Sequence, residues 1–250
     1  MFRFIITNYS NVFEMENLAR QVKVLQLCVA VLFITVVALV INQFVAKQTA
    51  KELTLERLNI VDSTGTLRMV ISNKQKQHPG AVDGKAVAPR ERDAGLIFFN
   101  DEGDECGGLI YSGNKKEASM VYSIDQFKND QIMQLQYAQQ SDGANNRSYG
   151  FKLWDRSDAF RTSQLLKYAD SLKGLHNQAL YDDGINKLKA KGYLGVERLF
   201  LGKTKTGQTG LFLKDANGKP RLTICIDSLN QPVIQTLGDN GEVVATLGGK

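Results

Sequence analysis

Asn100, Glu102 and Asp104 alternate along Asn100-Asp101-Glu102-Gly103-Asp104-Glu105, an acidic run with oxygen-bearing side chains at its first, third and fifth positions. Hard cations such as Ca²⁺ collect carboxylate and amide oxygens at this spacing. The match ends there: a helix–loop–helix calcium loop needs Gly at position six and Glu at position twelve, where this chain has Glu105 and Tyr111. The run follows the apolar Leu96 to Phe99 and reads as a solvated hairpin turn. No metal is therefore expected, and Asn100, Glu102 and Asp104 remain as weak candidates only.

A second set of residues imitates acyl-transfer chemistry. Ser112-Gly113-Asn114-Lys115, Ser141-Asp142-Gly143 and Lys205-Thr206-Gly207 reproduce in order the three short motifs of serine β-lactamases and penicillin-binding proteins. That chemistry sets its serine at the start of a buried helix with the lysine one turn later. Ser112 instead follows Gly107-Gly108-Leu109-Ile110-Tyr111, a strand pattern running into a polar turn, and Lys205-Thr206-Gly207 already serves as a hairpin turn. The remaining polar groups point no more firmly to catalysis. Asp155, Asp158, Asp182 and Asp183 could supply the paired carboxylates of glycoside hydrolysis, yet Asp is also the ordinary turn and cap residue. His78 and His176 are the only histidines, and neither has a His or Cys at ligand spacing for zinc. Tyr149, Phe151 and Trp154 could stack on a sugar, but aromatic residues at strand positions more often pack in a core. No catalytic residue and no cofactor site is assigned.

The elements that must position these residues are mostly strands. Glu56-Arg57-Leu58-Asn59-Ile60 leads to a turn at Asp62-Ser63-Thr64-Gly65, and Glu197-Arg198-Leu199-Phe200-Leu201 leads to another at Thr204-Lys205-Thr206-Gly207. Turns return at Asp215 to Gly218, Asp227 to Asn230 and Gly238 to Gly241, eleven or twelve residues apart. Asp or Asn opens such a turn by bonding its own backbone, and Gly or Asn closes it at positive φ. Between the turns apolar residues alternate, as in Leu67, Met69, Ile71 and in Leu222, Ile224, Ile226. This predicts antiparallel strands joined by hairpins. Pro220 and Pro232 fall just after turns, where a strand start tolerates a missing N–H. Residues 74–93, rich in charge, Gly and Pro, read as a long surface loop.

Residues 161–192 read as a helical insertion between a first β region at 48–160 and a second at 193–250, with the alternative of two separate β lobes. Leu165, Ala169 and Leu172 share one helix face, and a second helix can start at Asp183 and stop at Gly192. The fold class expected is thus mainly β: one N-terminal transmembrane helix followed by an antiparallel hairpin-repeat meander with a helical insertion.

The transmembrane helix is read from Val24 to Ala46, which carry no charge and lie between Lys23 and Lys47. At about 1.5 Å per residue they cover the roughly 30 Å hydrocarbon core. Leu27, Phe33, Val37 and Ile41 are taken as anchor residues in contact with lipid. A cleaved signal peptide is disfavoured, because Phe44 and Gln48 stand three before the available cuts, where a small residue is needed. The flanking cations almost tie, so the short tail 1–23 and the long C-terminal part set the expected orientation: tail cytoplasmic, domain extracytoplasmic. Met15 opens Met-Glu-Asn-Leu-Ala-Arg and reads as a second translation start.

Charge excludes one class of partner. Setting aside the four cations and two anions of residues 1–47 leaves 27 Lys and Arg against 24 Asp and Glu, dispersed along the chain. Phosphate binding needs cations gathered on one face, so no nucleic acid is expected. Cys28 falls in the span, and the sparse pair Cys106 and Cys225 is expected to stay reduced.

The stretch from Ala94 to Tyr111, with Ser123-Ile124-Asp125-Gln126-Phe127 and Asp130-Gln131, resembles a group of bacterial single-span membrane proteins. The similarity takes in Arg57 to Val61 and Leu67 to Asn73, about half of the domain. It implies a bacterial envelope setting and a β-hairpin-repeat extracytoplasmic domain, and it carries no activity or functional residue. The expectation is a membrane-anchored, non-catalytic structural or protein-interaction module, held by lipid through its helix and by a protein partner. The alternative is an envelope enzyme or glycan-binding protein whose site is built from the distant loops 74–93 and 140–148.

Overall fold

The computed structural model describes residues 2–45, 51–141 and 146–247. The chain divides into two units, Met1–Thr54 and Leu55–Lys250. In the first unit a single helix, α1, runs over Phe2–Val45. The helix takes in residues 2–23 ahead of the apolar stretch as well, since they contain neither Gly nor Pro to stop it. The segment Asn17–Ile41 is long and apolar enough to cross a membrane. Leu27, Phe33, Val37 and Ile41 are all exposed on it, while the expected end of the span at Ala46 lies outside the described residues.

In the second unit the strands are β1 (Arg57–Val61), β2 (Leu67–Ser72), β3 (Ala81–Val82), β4 (Lys85–Ala86), β5 (Ala94–Phe99), β6 (Glu105–Gly113) and β7 (Glu117–Asp125). They continue as β8 (Gln131–Gln140), β9 (Arg147–Asp155), β10 (Val196–Lys203), β11 (Thr209–Lys214), β12 (Pro220–Ile226), β13 (Pro232–Leu237) and β14 (Val243–Leu247). Among the described residues twelve of these form one antiparallel meander in the order β1-β2-β5-β6-β7-β8-β9-β10-β11-β12-β13-β14. Strand β9 pairs directly with β10 across the helical insertion, with Phe151 opposite Leu201 and Leu153 opposite Leu199. The two-lobe alternative is thereby replaced by one continuous sheet, because the strands on either side of the insertion carry matching apolar alternation and pair directly. Pro220 and Pro232 do open strands.

The turns follow the sequence closely. In Asp215–Gly218 the Gly218 N–H donates to the Asp215 carbonyl at 2.9 Å, and the Asp215 carboxylate accepts from the Asn217 and Lys219 N–H groups. Asp62 does the same for Thr64 and Thr66, and the Thr64 hydroxyl and these N–H groups hold its carboxyl down to about 2.

Residues 74–93 are more than a surface loop. They fold back over the sheet as the β3–β4 hairpin and bury Ala81 against Val70, Ile97 and Phe99, with Leu67 alongside. Polar bonds hold the cover down: Gln77 Nε2 donates to the Asp93 and Gly95 carbonyls, and Gly84 N–H donates to Asp104 Oδ1 at 2.7 Å. This is why a segment with little apolar periodicity is fixed in place.

The helical insertion is two helices, α2 (Thr162–Lys173) and α3 (Gln178–Ala190). Helix α3 begins five residues before the expected Asp183, because Asn177 caps it, its side chain accepting from the Leu180 N–H at 3.1 Å. Gly184 lies where the helices meet: a Cβ there would stand 2.5 Å from Leu172 Cδ1. Phe160 stacks on Tyr193 at 4.7 Å, closing the base of the insertion.

Candidate functional site

In an antiparallel sheet, directly opposed residues share a face, so the register gives the composition of each surface. One row on the first face passes through Leu58, Ile71, Leu96, Leu109, Tyr122 and Leu135. It continues through Phe151, Leu201, Leu211, Ile224, Ile234 and Leu247, one residue from each of the twelve strands. Every member is apolar or aromatic. A neighbouring row on the same face includes Met69, Phe98, Met133, Leu153, Leu199 and Leu213. On its other side, Tyr111, Met120, Tyr137 and Tyr149 precede Lys203.

This face is open. Ile71, Tyr122, Leu135, Leu201, Ile224 and Ile234 are between 39% and 52% exposed. The opposite face is the polar one, with Asn59, Ser123, Gln134, Lys152, Thr223 and Gln235 in a single row. Of its apolar members, Val70 and Ile97 are fully buried beneath the β3–β4 segment, while Phe200 and Phe212 stack on each other at 5.8 Å further along the row. The sheet thus covers part of its polar face and leaves its apolar face bare, the reverse of what stabilises a free single-layer sheet in water.

A second feature is polar. A cleft of about 300 Å³ opens between the β3–β4 segment, the ends of β6, β7 and β8, and the first turn of α2. Arg92 grips Glu105 through both guanidinium nitrogens at 2.7 and 2.8 Å. Arg156 donates to Asp130 at 2.8 Å and to the Gln131 carbonyl at 2.7 Å. Asp125 lies in the same cleft. Burial, with the nearby charges of Glu105 and Asp130, pushes its carboxyl up to about 7 against the pull of Arg156 and Arg92. Its Oδ1 and the Thr162 Oγ1 are buried without a hydrogen-bond partner. Such a carboxyl can give or take a proton near neutrality. Hydrolysis of a glycoside needs a second carboxylate free to act, whereas Glu105 and Asp130 are each tied to an arginine.

Of the residues singled out in the sequence, Ser112, Asn114 and Lys205 line one surface depression, and the others lie apart from it. Asn100 Oδ1 accepts from the Glu102 and Asp104 N–H groups, Glu102 pairs with Lys128 Nζ at 2.6 Å, and Asp104 takes the Gly84 N–H. Asp104 Oδ2 is buried without a hydrogen-bond partner, 3.8 Å from the same Lys128 ammonium. Ser112 lies on β6 opposite Ser119, away from any helix start, while Asp142 and Gly143 lie outside the described residues.

Asp155 pairs with Arg198, Asp158 accepts from Gln126, and Asp182 and Asp183 lie inside α3, bonded to Gln178 and Lys187 rather than capping. His78 Nδ1 accepts from the Gly80 N–H, its ring is edge-on to Phe99 at 4.8 Å, and burial with the Arg57 charge lowers its pKa. Tyr149 and Phe151 join the apolar face; Trp154, one register off, lies on the other with Lys152 5.8 Å from its ring. Cys106 and Cys225 are free thiols, and burial raises both.

Asp125 had a faint signal in sequence, an acid at a strand position in phase with Val121 and Ser123. No protein-family model matches the chain, and no curated protein and no solved structure matches it.

Proposed function

We propose that this chain is a single-span, membrane-anchored, non-catalytic interaction module of the bacterial cell envelope, with its N-terminal end cytoplasmic and its β unit extracytoplasmic. The observation that carries the reading is the twelve-residue apolar row, open along the whole sheet. Exposed apolar patches of a few hundred Å² mark contact surfaces, because water-exposed hydrocarbon raises the free energy by about 25 cal/mol per Å². The apolar segment Asn17–Ile41 supports the anchor, and the resemblance of Ala94 to Tyr111 supports the bacterial setting. The expected partner is a protein, since the cations on the opposite face are matched by acids, as where Glu197 lies between Lys152 and Lys214.

The cleft around Asp125 favours the second reading, an envelope enzyme or glycan-binding protein. The two part on one comparison. In mild detergent extracts of membranes, Leu135→Asp is expected to shift the full-length chain to a smaller complex on native gels, while Asp125→Asn leaves the complex unchanged. Equal mobility of wild type and Leu135→Asp would contradict the interaction reading. Protease added to intact spheroplasts is expected to digest the β unit; its protection would reverse the orientation.

A further inference from the structure

We infer that the apolar face of the sheet is covered by the same face of a second copy of this chain. The inference deepens the interaction reading above and rests on it. Area is the first argument. Twelve strands about 4.8 Å apart span roughly 53 Å, and three rows along each strand cover about 17 Å with side-chain breadth. The product, about 900 Å², is close to the roughly 800 Å² that one partner contributes to a stable interface. A peptide or single helix laid on this surface would cover only a strip of it.

Charge is the second argument. The central row carries no charge from Leu58 to Leu247, and the nearest cation on the face is Lys203, at one margin. Apposing two copies therefore buries no like charges over the centre, and a two-fold axis brings hydrocarbon onto hydrocarbon. A dedicated foreign partner is ordinarily selected by charge placement, which this face lacks. The row is also monotonous, Leu or Ile on ten of the twelve strands, so it is complementary to itself when two sheets pack about 10 Å apart.

The third argument is what the chain does with its own covering elements. The β3–β4 segment buries Val70 and Ile97 on the other face, and Thr162 N–H at the start of α2 is bonded to the Lys128 carbonyl at the β7–β8 turn. Neither element reduces the exposure of Leu135 or Leu201, at 48% and 52%. Anchoring by α1 would confine copies to one membrane plane, which raises their effective concentration.

Photocrosslinking in membranes tests this. Two full-length copies with different tags are co-expressed, with benzoylphenylalanine replacing Leu135 or Leu201 in one of them and, as a control, replacing Gln134 on the opposite face. Irradiation is expected to give an adduct carrying both tags from Leu135 and Leu201, at least ten-fold above that from Gln134. Adducts only with a different protein would overturn self-association and leave the interaction reading standing. Adducts with lipid alone, or none from the apolar face, would overturn both. Equal doubly tagged adduct from all three positions would also overturn the face assignment.

Discussion

Asp125 is the side chain whose protonation the fold alters most visibly, and its consequence is a stability that depends on pH. Its carboxyl is lifted from 3.8 to about 7, mainly by burial and then by the charges of Glu105 and Asp130. Between about pH 4 and 7 the folded chain therefore holds a proton that the unfolded chain has released. Stability must fall as pH rises through that window and level off above it. Asp125→Asn is expected to remove that slope, on the order of 2 kcal/mol across the window after allowing for partial exposure. Urea unfolding of the full chain in mild detergent at pH 4.5 and 7.5 measures it, and parallel losses in both proteins would refute it.

Gly218 carries the second prediction at this scale. At φ +79° it closes the Asp215 turn, and a side chain there would meet Val196 Cγ1 at 3.3 Å besides straining the backbone. Gly218→Val should cost about 1–3 kcal/mol in the same melts, and a neutral result would mean that the turn is not what fixes β11 to β12. The two residues differ in legibility. Gly218 is announced by Asp215-Ala216-Asn217 directly before it, because turn chemistry is local. Asp125 is not, because Glu105 lies twenty residues away and approaches only when β6 and β7 pair.

Elements were readable wherever one period dominated. Alternation located the hairpin strands, and the register confirms that alternate residues share a face. The first half of α1 mixes polar and apolar residues, so its helix leaves no single period in the sequence. The β3–β4 cover was missed because it is held by polar bonds from Gln77 and Gly84, which leave no period in the sequence. The helices differ from the strands in how they are held. Helix α2 contains no buried residue, and α3 buries only Gly184 and Leu188. Local opening costs least where little apolar surface is buried. Amide hydrogen exchange is expected to be at least ten-fold faster over Thr162–Lys173 than over β5, which carries the buried Ile97, and its neighbour β6. Equal protection would mean that the insertion is part of the cooperative core.

At the scale of the molecule, the period-two pattern predicts a meander but not which face is covered, since the same alternation would serve a sandwich, a barrel or an open sheet. The register decides it, by aligning one apolar residue from every strand into a row that the chain itself leaves bare. On the function proposed above, this face is occupied when the protein is at work. Carbene footprinting of the full-length chain in native membranes tests that claim most directly, because the label reacts with side chains according to their access. Leu229, 77% exposed on a hairpin turn, sets the scale for a free leucine. Leu135, Leu201 and Ile224 are expected to label at least five-fold less than Leu229 in membranes, and to approach it once the chain is unfolded in urea. Labelling of the three that matches their exposure in the single chain, 48%, 52% and 41% against 77%, would show an open face and contradict the account.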